Sequence, residues 1–368
     1  MASNKNQHFV PRAYFKPFTV GQEGKTINLF NIDRAKCVRA APVKHQCSKD
    51  YFYGDDMVLE KGLLHEQESQ YARAVKAIHE DGYELTDEHQ RHLLEFWLIQ
   101  HLRTDAASRR ILQMSTRAGD IPGVPKDQFK MEVLDAVKMG VLQFHRTQFH
   151  LDDIKVCLVR NRTKTPFVIS DDPAIYTNRW YNEDGRAKPF SPGICSAGAI
   201  FLLPLSPEVL CLGYDDSAYS VPHQKRWVVA RNDGDIRALN EHQFLNCHAN
   251  IYFSEWEHEQ TVSSTYSGIA SRRPAARYEV GFAEYLMDDN GREIYREVNG
   301  PKDLDARKAF VHYRTIVPKP STWPRFLLRR PDGTAYTSGA STGFVRRARV
   351  DDFAISNFGP QNFKRVRL

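Results

Sequence analysis

Residues 93–102 read Leu-Leu-Glu-Phe-Trp-Leu-Ile-Gln-His-Leu. At helical spacing these apolar side chains point in nearly every direction, and a helix that is apolar all round has to lie inside other elements. The chain must therefore wrap a layered core around this segment. Thr86 supplies a capping hydroxyl, with His89 rather than a glutamate three residues on, so the spacing predicts a helix over 86–114 without a full capping box. Glu95, Gln100 and His101 interrupt the apolar run, and each needs a polar partner if buried. Arg103, Arg109 and Arg110 read as the exposed end of the helix.

The neighbouring segments supply the wrapping. Leu59, Leu63, Tyr71, Ala74, Val75 and Ile78 recur at three and four residues and predict a helix over 55–81, and a second pattern covers 126–147. Residues 26–30 and 36–39 read as a β-hairpin. Beyond residue 150 the apolar runs shorten to strand length at 154–159, 167–169, 199–204 and 209–213, read as an antiparallel meander with 154–159 beside 167–169. A helix follows from Asp235, a candidate cap, to about 250. The expected fold class is α+β: a helical layer on an antiparallel sheet, with a small β-rich C-terminal appendage. A length of 368 residues suits about two domains. We place the main domain at 1–256 and a basic region at 257–368. The Ser/Thr/Arg-rich stretch 260–276 reads as a linker, and hairpins are expected at 278–287 with 293–298 and at 326–328 with 334–337.

Charge is unevenly spread. Residues 301–368 carry 14 Lys/Arg against 5 Asp/Glu, a net of +9 in a chain of net +6, which leaves −3 on the first 300 residues. A basic end on an acidic body points to an anionic partner, nucleic acid in the first place. Arg346, Arg347, Arg349, Lys364, Arg365 and Arg367 are the candidate nucleic-acid-binding residues; a solvated basic surface is the plainer alternative. No apolar run reaches the roughly 20 residues of a membrane span, and Asn4 to His8 interrupt any signal-peptide core, so a cytoplasmic protein with no membrane partner is expected. Six cysteines without a C-x-x-C pair argue against zinc and against a disulfide scaffold. Phosphate-loop, dinucleotide-binding, zincin and nucleophile-elbow motifs are absent from the sequence, so no nucleotide-cofactor motif is present.

Chemistry therefore rests on scattered acids and histidines. The apolar run Phe167 to Ile169 stops at Ser170-Asp171-Asp172-Pro173, which fixes two carboxylates at the end of a core strand. Glu60 and Glu68 stand in one helical row with Leu64. His8 sits in an aromatic N-terminal segment, and His101 in the central helix. We expect His8, Glu60, Glu68, Asp171 and Asp172 to meet at the edge between helices and sheet. In this reading His8, Glu60, Glu68, Asp171 and His101 are catalytic. Asp171, Asp172 and Glu68 are the metal ligands, for Mg2+ or Mn2+, because converging carboxylates raise a pKa or recruit a cation. In the competing reading the acids cap turns and the histidines are hydrogen-bonded core residues.

Gln7-His8-Phe9-Val10-Pro11, Glu60 with Glu68, Ile169-Ser170-Asp171-Asp172-Pro173 and Pro204-Leu205-Ser206-Pro207 occur in an order and spacing that resembles the domain-of-unknown-function family 4238. The resemblance covers roughly residues 4–255. It implies a bacterial cytoplasmic protein and supplies no reaction. The expected function is a nucleic-acid-processing enzyme, a metal-assisted nuclease acting on RNA rather than DNA in bacterial defence or a toxin system. Two alternatives stand beside it: a non-catalytic module binding nucleic acid or protein, and a nucleotidyl- or ADP-ribosyl-type transferase. A protein partner or a homo-oligomer is left open.

Overall fold

The computed structural model describes residues 5–54, 59–276, 278–289, 292–302, 304–356 and 359–368. Strand β1 (Asn6–His8) leads into the short helix α1 (Arg12–Phe15) and then the expected hairpin of β2 (Thr26–Asn31) and β3 (Lys36–Pro42). Strand β4 (Ser48–Asp50) pairs back on β1. Residues 55–58, the start of the helix expected over 55–81, lie outside the described residues. A π-helical turn, Glu60–Leu64, runs into α2 (His65–Ile78).

The helix expected over 86–114 is two helices, α3 (Asp87–Arg103) and α4 (Asp105–Ala118). Thr104 between them is extended (φ −69°, ψ 161°), and its hydroxyl caps α4 by accepting from the Ala107 amide at 3.1 Å. Thr86 caps α3 in the same way through the His89 amide. Helix α5 (Val133–Thr147) begins later than the pattern at 126 implied, where the Glu132 amide donates to Asp135. As its composition requires, α3 is central. Leu93, Phe96, Trp97 and Ile99 join Tyr14, Phe15, Ile154, Leu158 and Phe201 in the largest core cluster, with Tyr71 stacked on Phe96 at 3.8 Å.

The sheets follow. In chain order the elements are β5 (Lys155–Asn161), β6 (Ile169–Ser170), β7 (Ile175–Asn178), α6 (Arg179–Glu183), β8 (Ala199–Ser206), β9 (Val209–Tyr214), β10 (Tyr219–Ser220), β11 (Trp227–Ala230), α7 (Asp233–Asn246), β12 (Asn250–Phe253) and α8 (Glu259–Ile269). A five-stranded sheet has the order β11-β5-β9-β8-β7, antiparallel except for the parallel β11–β5 pair. A second sheet has the order β3-β2-β12-β6. The expected pairing of 154–159 with 167–169 does not form. The Phe167 amide goes to the Pro207 carbonyl and the Val168 amide to Asn240 of α7, so β6 is steered away from β5 and joins β12. Helix α7 starts two residues before Asp235, with Asn232 as its cap.

The expected linker at 260–276 is largely α8, whose Val262 and Ile269 pack with Phe30 and Ile32. Strands β13 (Tyr278–Asp289) and β14 (Arg292–Val298) form the expected hairpin, joined by β15 (Ala309–Thr315). The other expected hairpin is not formed. Strand β16 (Leu328–Arg329) pairs with β10 of the main body, and β17 (Thr334–Thr337) pairs with β18 (Phe344–Val345) and with β21 (Lys364–Arg367). Helix α9 (Val350–Ala354) and the short pair β19 (Ile355–Ser356) and β20 (Gly359–Pro360) lie between them. The architecture is α+β, and strands after residue 256 dock on elements before it.

Candidate functional site

Strand alternation sends Gln7 inward from β1 and His8 the other way. Gln7 is fully buried. Its amide nitrogen donates to the Gly54 carbonyl at 2.9 Å and to Glu60 Oε2 at 3.2 Å, while its oxygen accepts from the Tyr53 amide at 2.6 Å. Glu60 opens the π-helical turn, which bulges at Gly62 (φ −89°, ψ −113°) before α2 becomes regular. One α2 turn further on, Glu68 meets Arg103, whose Nη1 donates to Glu68 Oε1 at 2.9 Å. Burial pushes the Tyr53 hydroxyl well up, with the Arg103 charge opposing and the Glu68 and Glu60 charges adding to it, so these groups form one electrostatic cluster.

Arg103 is the hub. Its side chain is 0 % exposed, against 32 % for Glu68. Nε donates to Gln100 Oε1 at 3.1 Å, Gln100 donates onward to the Phe9 carbonyl at 2.9 Å, and the remaining Nη2 is buried without a partner among the described residues. The next two residues also reach different elements. Thr104 donates to Asp172 Oδ1 at 2.8 Å, and Asp105 takes Lys49 at 2.5 Å and Arg109 at 2.9 Å. Burial works to raise the Asp105 pKa, but the bonds from Lys49 and Arg109 outweigh it and hold the carboxyl below its ordinary value. Lys49 lies directly opposite Gln7 in the β1–β4 ladder, so the two side chains share a face. The α3–α4 junction thus joins the Glu60/Glu68 cluster to the 171–174 loop.

Asp171 and Asp172 diverge. Asp171 accepts from the amides of His248, Ala249 and Asn250 at 2.8, 2.6 and 3.2 Å, which shapes the turn before β12. Asp172 faces Thr104, with Arg110 at 3.9 Å and Asn246 at 3.3 Å. His101 stacks on Trp97 at 4.8 Å, and its Nδ1 lies 3.1 Å from the Ala174 carbonyl. His8 is half-buried; burial and then Arg12 lower its pKa, so its ring is neutral at pH 7. Cys47 is buried beside these groups. Burial and the Asp171 charge lead in pushing its thiol well up, so it stays protonated.

Of the expected pocket, Glu60 and Glu68 share a cluster, Asp172 and His101 adjoin it through the α3–α4 junction, and Asp171 points into the loop before β12. Glu68, Asp171 and Asp172 each have separate protein partners. Among the described residues no group of three or more His, Cys, Asp or Glu is placed to hold a metal ion. The three carboxylates read as metal ligands do not fit a shared cation in this arrangement.

The basic residues divide as well. Arg346 is 1 % exposed and inside the protein. It bonds Asp153 at 2.7 Å and the His150 carbonyl at 2.6 Å, so it is a structural cation rather than a docking group. Arg349 is largely covered, 3.2 Å from Asp352. Lys364, Arg365 and Arg367 are exposed on β21, although Arg367 also donates to the Pro331 carbonyl. The register puts Arg365 opposite Tyr336 and Arg367 opposite Thr334 on one face, and exposed Arg347 lies over the Tyr336 ring at 5.2 Å.

Arg103, expected at the exposed end of its helix, is instead buried by its bonds to Gln100 and Glu68, and sequence reasoning gave no site role to it or to Thr104, Asp105, Lys49 and Asn246. A Thr-Asp pair directly after an apolar helix is a cap signal for a new helix, and it was legible. The four motif stretches are tied together in space: Gln100 meets the first, Arg103 the second and Thr104 the third, while Tyr14 donates to Pro204 of the fourth at 2.8 Å. No curated protein and no solved structure matches the chain. The family described as protein of unknown function DUF4238 matches residues 6–257, a span that holds every group of this cluster from Gln7 to Asn246, and the chain belongs to that family.

Proposed function

We propose that the protein is a nucleic-acid-processing enzyme that cleaves RNA phosphodiesters at the Glu60/Glu68/Arg103 cluster. The observation that carries this reading is Arg103: a buried, fixed cation, one donor nitrogen of which has no partner among the described residues, beside a carboxylate that reaches solvent. Held behind Glu68, this preorganised positive charge acts through space on the negative charge that builds on the phosphoryl oxygens during cleavage. Glu60, aimed by Gln7, accepts the proton of the attacking 2′-hydroxyl; water supplies the proton for the departing 5′-oxygen. The Arg347/Tyr336/Arg365/Arg367 face holds the strand through phosphates and base stacking. The absence of a disulfide among the described residues supports a reducing, cytoplasmic setting, and host defence or toxicity is the role this activity fits.

The test is incubation of the purified protein with labelled RNA and DNA oligonucleotides, with chelator and with added Mg2+ or Mn2+. Shortened RNA that disappears with Arg103→Lys is expected. Intact oligonucleotides under every condition, with folded protein, would end the reading. Activity only with added metal would show that a cation joins the cluster.

A second reading, a nucleic-acid-binding module without turnover, is favoured by one observation: Asp171 and Asp172 are spent on backbone amides, Thr104 and Asn246. Binding on the Tyr336 face with no cleavage and no transfer of a labelled nucleotide group is its signature.

A further inference from the structure

Strand β11 ends the five-stranded sheet, with β5 on one side only. The Arg226 and Ala230 carbonyls accept from Leu158 and Arg162 on the β5 side. Alternation therefore turns the amides and carbonyls of Trp227 and Val229 to the other edge. Trp227 uses both groups on Gln224 across a two-residue turn. One residue pair is all that this hairpin forms. Pro222 follows two positions back with no N–H to offer, and the chain leaves the edge. Val229, 48 % exposed, then faces an open groove of about 680 Å3.

The groove is rigidly walled. Lys225 and Arg226 in the turn both occupy the left-handed region (φ 51° and 63°), which side chains of this size rarely adopt. They are held there from the start of α3: Lys225 by Glu84 in the loop before the helix, and Arg226 by Asp87 at 2.7 Å and Gln90 at 3.2 Å on it. Trp227 is clamped between the Arg160 guanidinium, 4.1 Å from its ring, and the Tyr83 carbonyl, which its indole N–H meets at 2.8 Å. The far wall is Arg325 and Phe326. The groove carries His223, Arg231 and Arg325, and the one acid among its described lining residues, Asp235, is already bridged by Arg325 at 3.2 Å.

We infer that this groove is a docking site for an extended acidic peptide of a partner protein, which adds a strand to β11. The backbone groups of Val229, which have no partner among the described residues, supply the ladder, and Arg231 with His223 reads the carboxylates. A nucleic acid would use the cations but has no use for the strand edge. The site is separate from the Arg103 cluster, so it stands whether or not the protein cleaves RNA.

The probe is a fluorescein-labelled peptide of alternating valine and glutamate about nine residues long, the span of a long strand. Anisotropy titration against the full chain should show saturable binding. The same peptide with lysine for glutamate, or with a central proline, should not bind. Val229→Pro removes an N–H that faces the groove and leaves the β5 ladder intact, and Arg231→Glu reverses an exposed charge; each should weaken binding at least about tenfold. Circular dichroism checks that both variants fold. Lack of binding by the acidic peptide, or equal binding by wild type and both variants, would overturn the inference. So would a single-stranded oligonucleotide that occupies the groove with a loss on Arg231→Glu and none on Val229→Pro.

Discussion

Thr104 Oγ1 donates to Asp172 Oδ1 at 2.8 Å and accepts from the Ala107 amide at 3.1 Å, so one hydroxyl both caps α4 and holds a buried carboxylate. Thr104→Val keeps the shape and removes both bonds. A lost cap costs about 1 kcal/mol, and a lost bond to a buried charge about 1.5–3. A destabilisation of about 2–4 kcal/mol is expected in urea unfolding, with Thr104→Ser near wild type.

Asp171→Asn should act on folding rather than chemistry. The amide group would turn a donor toward the amides of His248, Ala249 and Asn250. A loss of about 2–3 kcal/mol is expected, with faster hydrogen exchange confined to 248–250. Unchanged exchange there would show that the carboxylate is not what shapes the loop.

The basic end should divide into one structural arginine and a docking face. Arg346→Met leaves Asp153 without its buried partner and should cost about 3–5 kcal/mol. Neutralising Arg347, Arg365 and Arg367 together should leave stability within about 0.5 kcal/mol per site. It should also flatten the log–log salt dependence of single-strand binding by about 2, at roughly 0.7 per lost phosphate contact. An unchanged slope would remove the Tyr336 face from the binding surface.

His242 should make the fold acid-sensitive. It is buried, its Nδ1 lies 2.9 Å from the Ala238 carbonyl, and burial drives its pKa down to about 4. The unfolded chain binds this proton near pH 6.5 and the folded protein does not until about 4. Stability is therefore full above about 6.5 and falls by about 3 kcal/mol as pH drops to about 4. Urea unfolding across that range should show the slope, and His242→Leu should flatten it.

Glu60→Gln preserves the bond from Gln7 and removes the proton acceptor. RNA cleavage should fall by at least about a hundredfold, with the unfolding midpoint nearly unchanged. Equal activity in this variant would place the base elsewhere.

The sequence by itself determined what local physics dictates. An apolar-all-round helix had to be central, and Leu93 to Ile99 are. Short apolar runs close together in sequence favour pairing with each other, and the β2–β3 and β13–β14 hairpins form. The Ser170–Pro173 stop had to end a strand, and β6 ends there. Partners across long separations were decided only by the tertiary structure. Whether Asp171 binds a cation or three amides depends on where residues 248–250 arrive, and nothing near Asp171 in sequence encodes that. Arg346 reads as one of a basic run, but it reaches Asp153 and His150, almost two hundred residues away, and is buried by that contact. Local pattern fixes the period and ends of an element, while the partner of a charge is set by which surfaces burial brings together.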